Sequence, residues 1–218
     1  MAFSDLWWYV NYLSIINCLC SFQGMAYTGI ILAGGKSLRM GEDKGLVRLN
    51  NKPLISYAID ALRPLVSELL IVANGPGYEP FGYPVIPDLI PESGPLGGTV
   101  TGLTDSNSEW NLVLSCDTPF VSTKLFEHLL SNVNNYQAVL PRHKGELEPL
   151  TGLYNKNCLK QLEEFIADRQ LKMRWAVQQL NLKEVIIDSQ NSFYEDQLFQ
   201  NINTREALLS AEKKLAES

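Results

Sequence analysis

The stretch TGIILAGGKSLRMGEDK, residues 28–44, decides how the chain is read. It opens as a short apolar run with two β-branched isoleucines, of strand length. Gly34 and Gly35 follow, and glycines permit positive φ and a close approach of main-chain N–H groups to a ligand. Lys36, Arg39 and Lys44 then place three cations in one loop of a chain whose formal net charge is -6. Flexible backbone with concentrated positive charge suits a polyphosphate; for a glycine pair alone, a solvated strand-to-helix turn is the alternative. Two familiar phosphate loops are excluded. A P-loop ending in Gly35-Lys36-Ser37 needs glycine at position 30, which is Ile30, and the dinucleotide spacing G-x-G-x-x-G is missing.

Working outward, strand-like and helix-like segments alternate. In KPLISYAIDALRPL, Leu54, Ala58, Ala61, Leu62 and Leu65 share one helical face, and Pro53 suits a first turn. ELLIVAN is a buried strand closed by the turn Asn74-Gly75-Pro76-Gly77. YPVIPD reads as a short strand, SGPLGGTVTGLTD as a loop opening into a helix, and WNLVLSCDTP as a buried strand ending in Asp117 and Pro119. STKLFEHLLSNV is a helix, YQAVLPR and PLTGLY are strands, and NKNCLKQLEEFIADRQ is a helix. A short helix at MRWAVQQL, the strand EVIID and a last helix, with Asn203 and Glu206 as its capping signal, complete the pattern. This alternation predicts an α/β fold: a single Rossmann-like domain with a mainly parallel sheet and helices on both faces. Ligands of such sheets bind beyond the carboxyl ends of the strands. Those ends carry the glycine loop, Asn74, Asp88 and Asp117.

Composition bounds the function. The apolar fraction of 45% allows a sizeable core, and the acidic balance argues against a nucleic-acid partner. Cys18, Cys20, Cys116 and Cys158 lack the spacing of a zinc site or a disulfide framework, so a reduced, cytoplasmic setting is the simpler reading. Residues 1–24 form an N-terminal extension with a single charge, Asp5. It lacks the basic start of a signal peptide, and its asparagines and serines interrupt any transmembrane segment. A misassigned start codon, disorder, or a peripheral membrane or partner contact are its open readings. Residues 25–218 are expected to form the domain.

Asp117, after an apolar strand, has the setting of a Mg²⁺ ligand, because Mg²⁺ takes one or two carboxylates with water and phosphate oxygens. Capping the helix near Ser122 is the competing role. Asn74 and Asp88 could bond a ribose or a base, or serve their turns. The glycine-rich SGPLGG, residues 93–98, could present free N–H groups to an anion or a base edge. His128 and His143 suggest no nucleophilic site, and Trp110 and Trp175 read as packing.

LAGGKSLRMGEDK closely resembles the LAGG-x-S-x-R-M-G-x-D-K signature of the MobA-like nucleotidyltransferases, and LNNKPL, GPLGG, CDTPF and the late NINT continue the match in order. Within that family the chain is most similar to molybdenum cofactor guanylyltransferases, over roughly residues 28–210. The resemblance implies transfer of GMP from GTP to molybdopterin-bound molybdenum, the molybdenum cofactor, with release of pyrophosphate. It implies that Leu32, Ala33, Gly34 and Gly35 line the GTP site, that Lys44 contacts the phosphates with help from Arg39, and that Asn74 and Asp88 hold guanosine. Asp117 would hold Mg²⁺, and Asn201 and Asn203 would lie near the second substrate or the active-site rim. Transient contact with cofactor-insertion proteins or molybdoenzymes follows from the same resemblance. Thr204-Arg205-Glu206 departs from the family's Asn-Thr-Pro, which bears on the geometry of that loop. Two alternatives stay open: a sibling enzyme (a molybdopterin cytidylyltransferase or a sugar-nucleotide pyrophosphorylase) and a noncatalytic nucleotide-binding protein on the same fold.

Overall fold

The computed structural model of the chain describes residues 26–34 and 43–217. The N-terminal extension, Gly35, Lys36 and Arg39 lie outside the described residues. TGIIL becomes the central strand β1 (Tyr27–Leu32), and every one of its residues is buried. A two-residue hairpin follows, β2 (Arg48–Leu49) and β3 (Lys52–Pro53), then helix α1 (Leu54–Leu62). The hairpin turns on Asn50 and Asn51 at φ 49° and 62°. Asparagine tolerates that left-handed region, and two such residues in a row match the twist of flanking strands.

The chain continues through β4 (Glu68–Val72), β5 (Val85–Ile86), α2 (Gly94–Asp105), β6 (Trp110–Ser115) and α3 (Thr123–Leu130). Then come β7 (Ala138–His143), β8 (Glu146–Leu147), β9 (Thr151–Asn155), α4 (Leu159–Ala167), α5 (Met173–Gln178), β10 (Leu182–Ile187) and α6 (Arg205–Glu217). Among the described residues the main sheet runs β10-β7-β9-β6-β1-β4-β5, with β8 paired to β7. β1 is parallel to both β4 and β6, β5 is parallel to β4, and β10 is parallel to β7. The mainly parallel expectation therefore holds, with β9 as the departure: it runs antiparallel to β6 and β7. β7 turns sharply at Lys144 and Gly145, both at positive φ, into β8, and Pro149-Leu150 leads straight into β9. A connection that short cannot make the crossover a parallel return requires.

Alternation along β1 and β6 sorts the core into two layers. Tyr27, Ile31, Leu112 and Leu114 face a cluster built with Ala58 and Leu62 of α1 and Leu125 and Phe126 of α3. Ile30, Leu32 and Val113 face the opposite cluster, with Val100 of α2, Leu162 of α4 and Ala176 of α5. Helices thus cover both faces. Gly102 lets α2 lie against β1, since a Cβ there would stand 2.4 Å from Cγ2 of Ile30. A third, small cluster joins Val47, Leu49 and Leu54 to Ile202 and Ala211, tying α6 to the hairpin. Among the described residues no helix is long and apolar enough to cross a membrane.

Candidate active site

After β5 the chain returns to the far side of β1, so the order β6-β1-β4-β5 reverses direction between β1 and β6. Such a reversal opens a crevice at the carboxyl ends of the strands. A cleft of about 200 Å³ lies there, lined by Leu32, Gly34, Lys44, Asn74, Asp88 and Asp117 among others. All six were singled out in sequence as ligand-facing, and they meet here from β1, the turn after it, and the ends of β4, β5 and β6. Ala33, fully buried, donates its N–H to the Val72 carbonyl at 2.9 Å and sits beneath the cleft floor.

Lys44 opens a single 3-10 turn, Lys44–Leu46. Its ammonium donates to the Asp117 carboxylate and to Oδ1 of Asn203. The side chains of Lys44 and Asp117 are 22% and 7% exposed, so the cation is reachable from solvent while the carboxylate is deep. Ser115, two residues before Asp117, donates its hydroxyl to Oδ1 of that carboxylate. Asn201, with its amide turned to donate, reaches both Asp117 oxygens at 3.2 and 3.1 Å. The Ile202 N–H donates to the Asp117 main-chain carbonyl at 2.8 Å. The late NINT segment therefore closes over the Lys44–Asp117 pair.

This arrangement corrects one local expectation and sets aside one competing role. Asn203 does not cap α6; Thr204 does, its hydroxyl accepting from the Ala207 N–H at 3.2 Å, while Asn203 is spent on Lys44. Asp117 does not cap α3, whose N-terminal neighbour Ser122 makes no side-chain capping bond either. The Asp117 carboxylate is turned into the cleft instead.

Asn74 and Asp88 are joined. The Asp88 N–H donates to Oδ1 of Asn74 at 2.8 Å, which leaves the Asn74 NH₂ free to donate elsewhere. Thr101, fully buried on α2, donates to Oδ1 of Asp88 at 3.1 Å and accepts from the Leu89 N–H at 3.0 Å. One Asp88 oxygen is thereby fixed toward α2, and Gly94 and Pro95 at the start of that helix border the same cleft. Cys116 is no nucleophile here: burial, and then the neighbouring Asp117, push its thiol far above the usual range. His143 lies apart from the cleft, packed on Phe199 and Tyr194 with ring centroids 5.0 and 5.7 Å away.

Ser115 and Thr101 carried no signal in sequence, since a lone hydroxyl in a strand or a helix is common. Tyr78, just past the Asn74–Gly77 turn, drew no notice in sequence either, yet it is fully buried against the Lys44 turn.

The described residues hold no cluster of three or more His, Cys, Asp or Glu able to cage a metal ion. One deep carboxylate lining the cleft fits Mg²⁺, which takes much of its coordination from substrate phosphates and water.

The model of the MobA-like NTP transferase domain matches residues 29–184. A protein of Flavobacterium johnsoniae named probable molybdenum cofactor guanylyltransferase is 34% identical over 182 residues, covering 83% of this chain and 94% of that relative. A molybdenum cofactor guanylyltransferase of Yersinia pseudotuberculosis is 36% identical over 181 residues, covering 81% and 90%. Among solved structures, molybdopterin-guanine dinucleotide biosynthesis protein A of Archaeoglobus fulgidus superposes with a TM-score of 0.75 at 25% identity, over 88% of this chain and 100% of that one. The family model runs from within β1 into β10, takes in the eight strands between them whole and includes every cleft-lining residue, and on that ground the chain belongs to the MobA-like NTP transferase family.

Proposed function

We propose that the chain transfers GMP from GTP to molybdopterin-bound molybdenum, giving the guanine dinucleotide form of the cofactor and pyrophosphate. The observation that carries this reading is the meeting of Lys44, Asp117 and the Asn201–Asn203 segment at the strand ends, beside the Asn74–Asp88 pair. The relatives bearing the guanylyltransferase name support the choice of substrates.

The chemistry asks little covalent help of the protein. An oxygen of the terminal phosphate of molybdopterin forms a bond to the α-phosphorus of GTP, the bond to the bridging oxygen breaks, and pyrophosphate leaves. A phosphate oxygen is already deprotonated at neutral pH, so no general base is needed; alignment and charge stabilisation supply the rate. Lys44 would exchange Asp117 and Asn203 for the phosphates of GTP and neutralise charge that develops on the leaving group. Arg39 would assist it, and the backbone at Leu32, Ala33, Gly34 and Gly35 would line the nucleotide site. The Asn74 NH₂ and the outer oxygen of Asp88 would hold guanosine. Asp117, oriented by Ser115 and Asn201, would hold Mg²⁺, which when bound offsets the charge of the triphosphate. Residues 25–218 would act as the domain, with 1–24 an extension outside it, in the cytoplasm. Delivery to molybdoenzymes or cofactor-insertion proteins would be through transient contact, with no role for nucleic acid.

Calorimetric titration of the full chain with GTP, CTP and ATP in the presence of Mg²⁺ tests the base preference. GTP binding at least tenfold tighter than the other two is expected. Preference for CTP would favour the sibling cytidylyltransferase.

A further inference from the structure

Tyr78 is a large polar side chain with no exposure at all, and its hydroxyl must find a partner inside the protein. It donates to the Asp43 carboxylate and lies 3.2 Å from the carbonyl of Ala33, the residue just beyond β1. Asp43 in turn caps the turn that carries Lys44. Its Oδ1 accepts from the Gly45 N–H at 3.4 Å and its carbonyl from the Leu46 N–H at 2.9 Å. The surrounding backbone is shaped to admit these groups. A Cβ on Gly45 would stand 2.6 Å from the Tyr78 hydroxyl oxygen, and one on Gly75 would stand 2.9 Å from Oδ2 of Asp43. Burial, and then the bond to Asp43, push the phenol far above its ordinary range, so the hydroxyl stays a donor at every working pH.

Lys44 needs such support. A lysine holds its charge on a flexible four-carbon stem, and one 3-10 turn is a weak anchor for the backbone beneath it. We propose that Tyr78 is a positioning residue for Lys44: by sharing its one hydroxyl proton between the Asp43 carboxylate and the Ala33 carbonyl it locks the capped turn to the carboxyl end of β1, so that the ammonium stands where the triphosphate must come. The inference rests on the reading of Lys44 as the phosphate contact. It assigns Tyr78, through Asp43, to the transition-state alignment of that cation and not to nucleotide affinity.

Tyr78→Phe removes one oxygen and keeps the ring and its packing against Phe81, 6.4 Å between centroids. We expect kcat for pyrophosphate release from GTP to fall at least tenfold while KM for GTP moves less than threefold. A merely structural role is separated from a positioning role by pairing this variant with Lys44→Ala. If Tyr78 acts through Lys44, the double variant turns over within about twofold of Lys44→Ala alone, because the group being aimed is already gone. A Tyr78→Phe defect that multiplies the Lys44→Ala defect overturns the inference and leaves the role of Lys44 standing, as does wild-type kcat in Tyr78→Phe. Lys44→Ala turning over as fast as the wild type removes Lys44 from the mechanism and takes the inference with it. Should Tyr78→Phe fail to fold, Asp43 provides the same test. Asp43→Ala should reproduce the loss and again add nothing to Lys44→Ala. Asp43→Asn, which keeps the acceptor oxygen, should recover most of that turnover, and an Asn variant as slow as the Ala variant overturns the assignment.

Discussion

Lys44 reaches its partners from a single turn, and both come from far along the sequence: Asp117, 73 residues away, and Asn203, 159 residues away. In this arrangement the ammonium rests against the carboxylate that would bind Mg²⁺, so cation and lysine compete for one group until a triphosphate gives Lys44 another partner. Lys44→Ala should therefore lower kcat by about 100-fold or more, the size of losing one aimed donor at a developing oxyanion, with a much smaller effect on GTP affinity. Steady-state kinetics beside calorimetry check this, and unchanged turnover would contradict it. Lys44→Met, with the charge removed and the stem kept, should bind Mn²⁺ more tightly than the wild type when nucleotide is absent, by about tenfold. Electron paramagnetic resonance of free Mn²⁺ reads this directly, and equal or weaker binding would show that the pair does not compete. Asp117 was legible because a charged group at a strand end stands out against an apolar run, and Lys44 because three cations crowd one glycine loop of an acidic chain. Ser115, Thr101 and Tyr78 were not, because their contacts with Asp117, Asp88 and Asp43 exist only once the chain is folded.

Elements with near-continuous apolar runs, β1, β4 and β6, could be read from sequence, since strands covered on both faces are mostly apolar. The antiparallel course of β9 could not, because two neighbouring strand signals carry no direction until the β7–β8 turn is seen. Close packing between elements was equally hidden. α2 carries Gly102 in its interior, where propensity alone disfavours glycine, because fully buried Ile30 of β1 occupies the space of a side chain. Gly102→Ala gains helix propensity but forces an overlap with a branch of Ile30 close to the backbone. Overpacking of that kind costs about 1–3 kcal/mol and should outweigh the propensity gain. Thermal unfolding should show a Tm lowered by several degrees, with turnover per folded molecule unchanged; a raised Tm would mean that α2 can shift freely on the sheet.

Across the whole molecule, the sheet brings the ends of β1, β4, β5 and β6 to one edge, and the chain that follows β10 returns to that edge before α6 packs on the hairpin through Ile202 and Ala211. The general place of the site followed from the alternation of strands and helices. Its closure by residues 201–203 did not follow from that alternation, and the capping signal at Asn203 pointed to α6; only the family resemblance put Asn201 and Asn203 near the site, without the bond to Lys44. Acid should weaken the fold at the end of β7, on this same edge but outside the cleft lining. Burial, and then Lys144, hold the pKa of His143 below the ordinary imidazole value, so the folded state takes up a proton less readily than the unfolded chain. That contribution to stability is complete above about pH 6.5, the unfolded value, and is lost as pH falls below it toward the folded pKa. Tm measured between pH 7.5 and 5.5 should decline less steeply in His143→Gln than in the wild type; parallel declines would place the acid sensitivity elsewhere.

The most direct measurement is product formation by the full chain with Mg²⁺, molybdopterin-bound molybdenum and GTP, CTP or ATP in turn. Pyrophosphate and the guanine dinucleotide cofactor should appear in equal amounts from GTP, at least tenfold faster than the corresponding products from CTP or ATP. Equal or faster turnover of CTP, or pyrophosphate release from GTP that does not require the acceptor, would contradict a guanylyltransferase acting on the molybdenum cofactor.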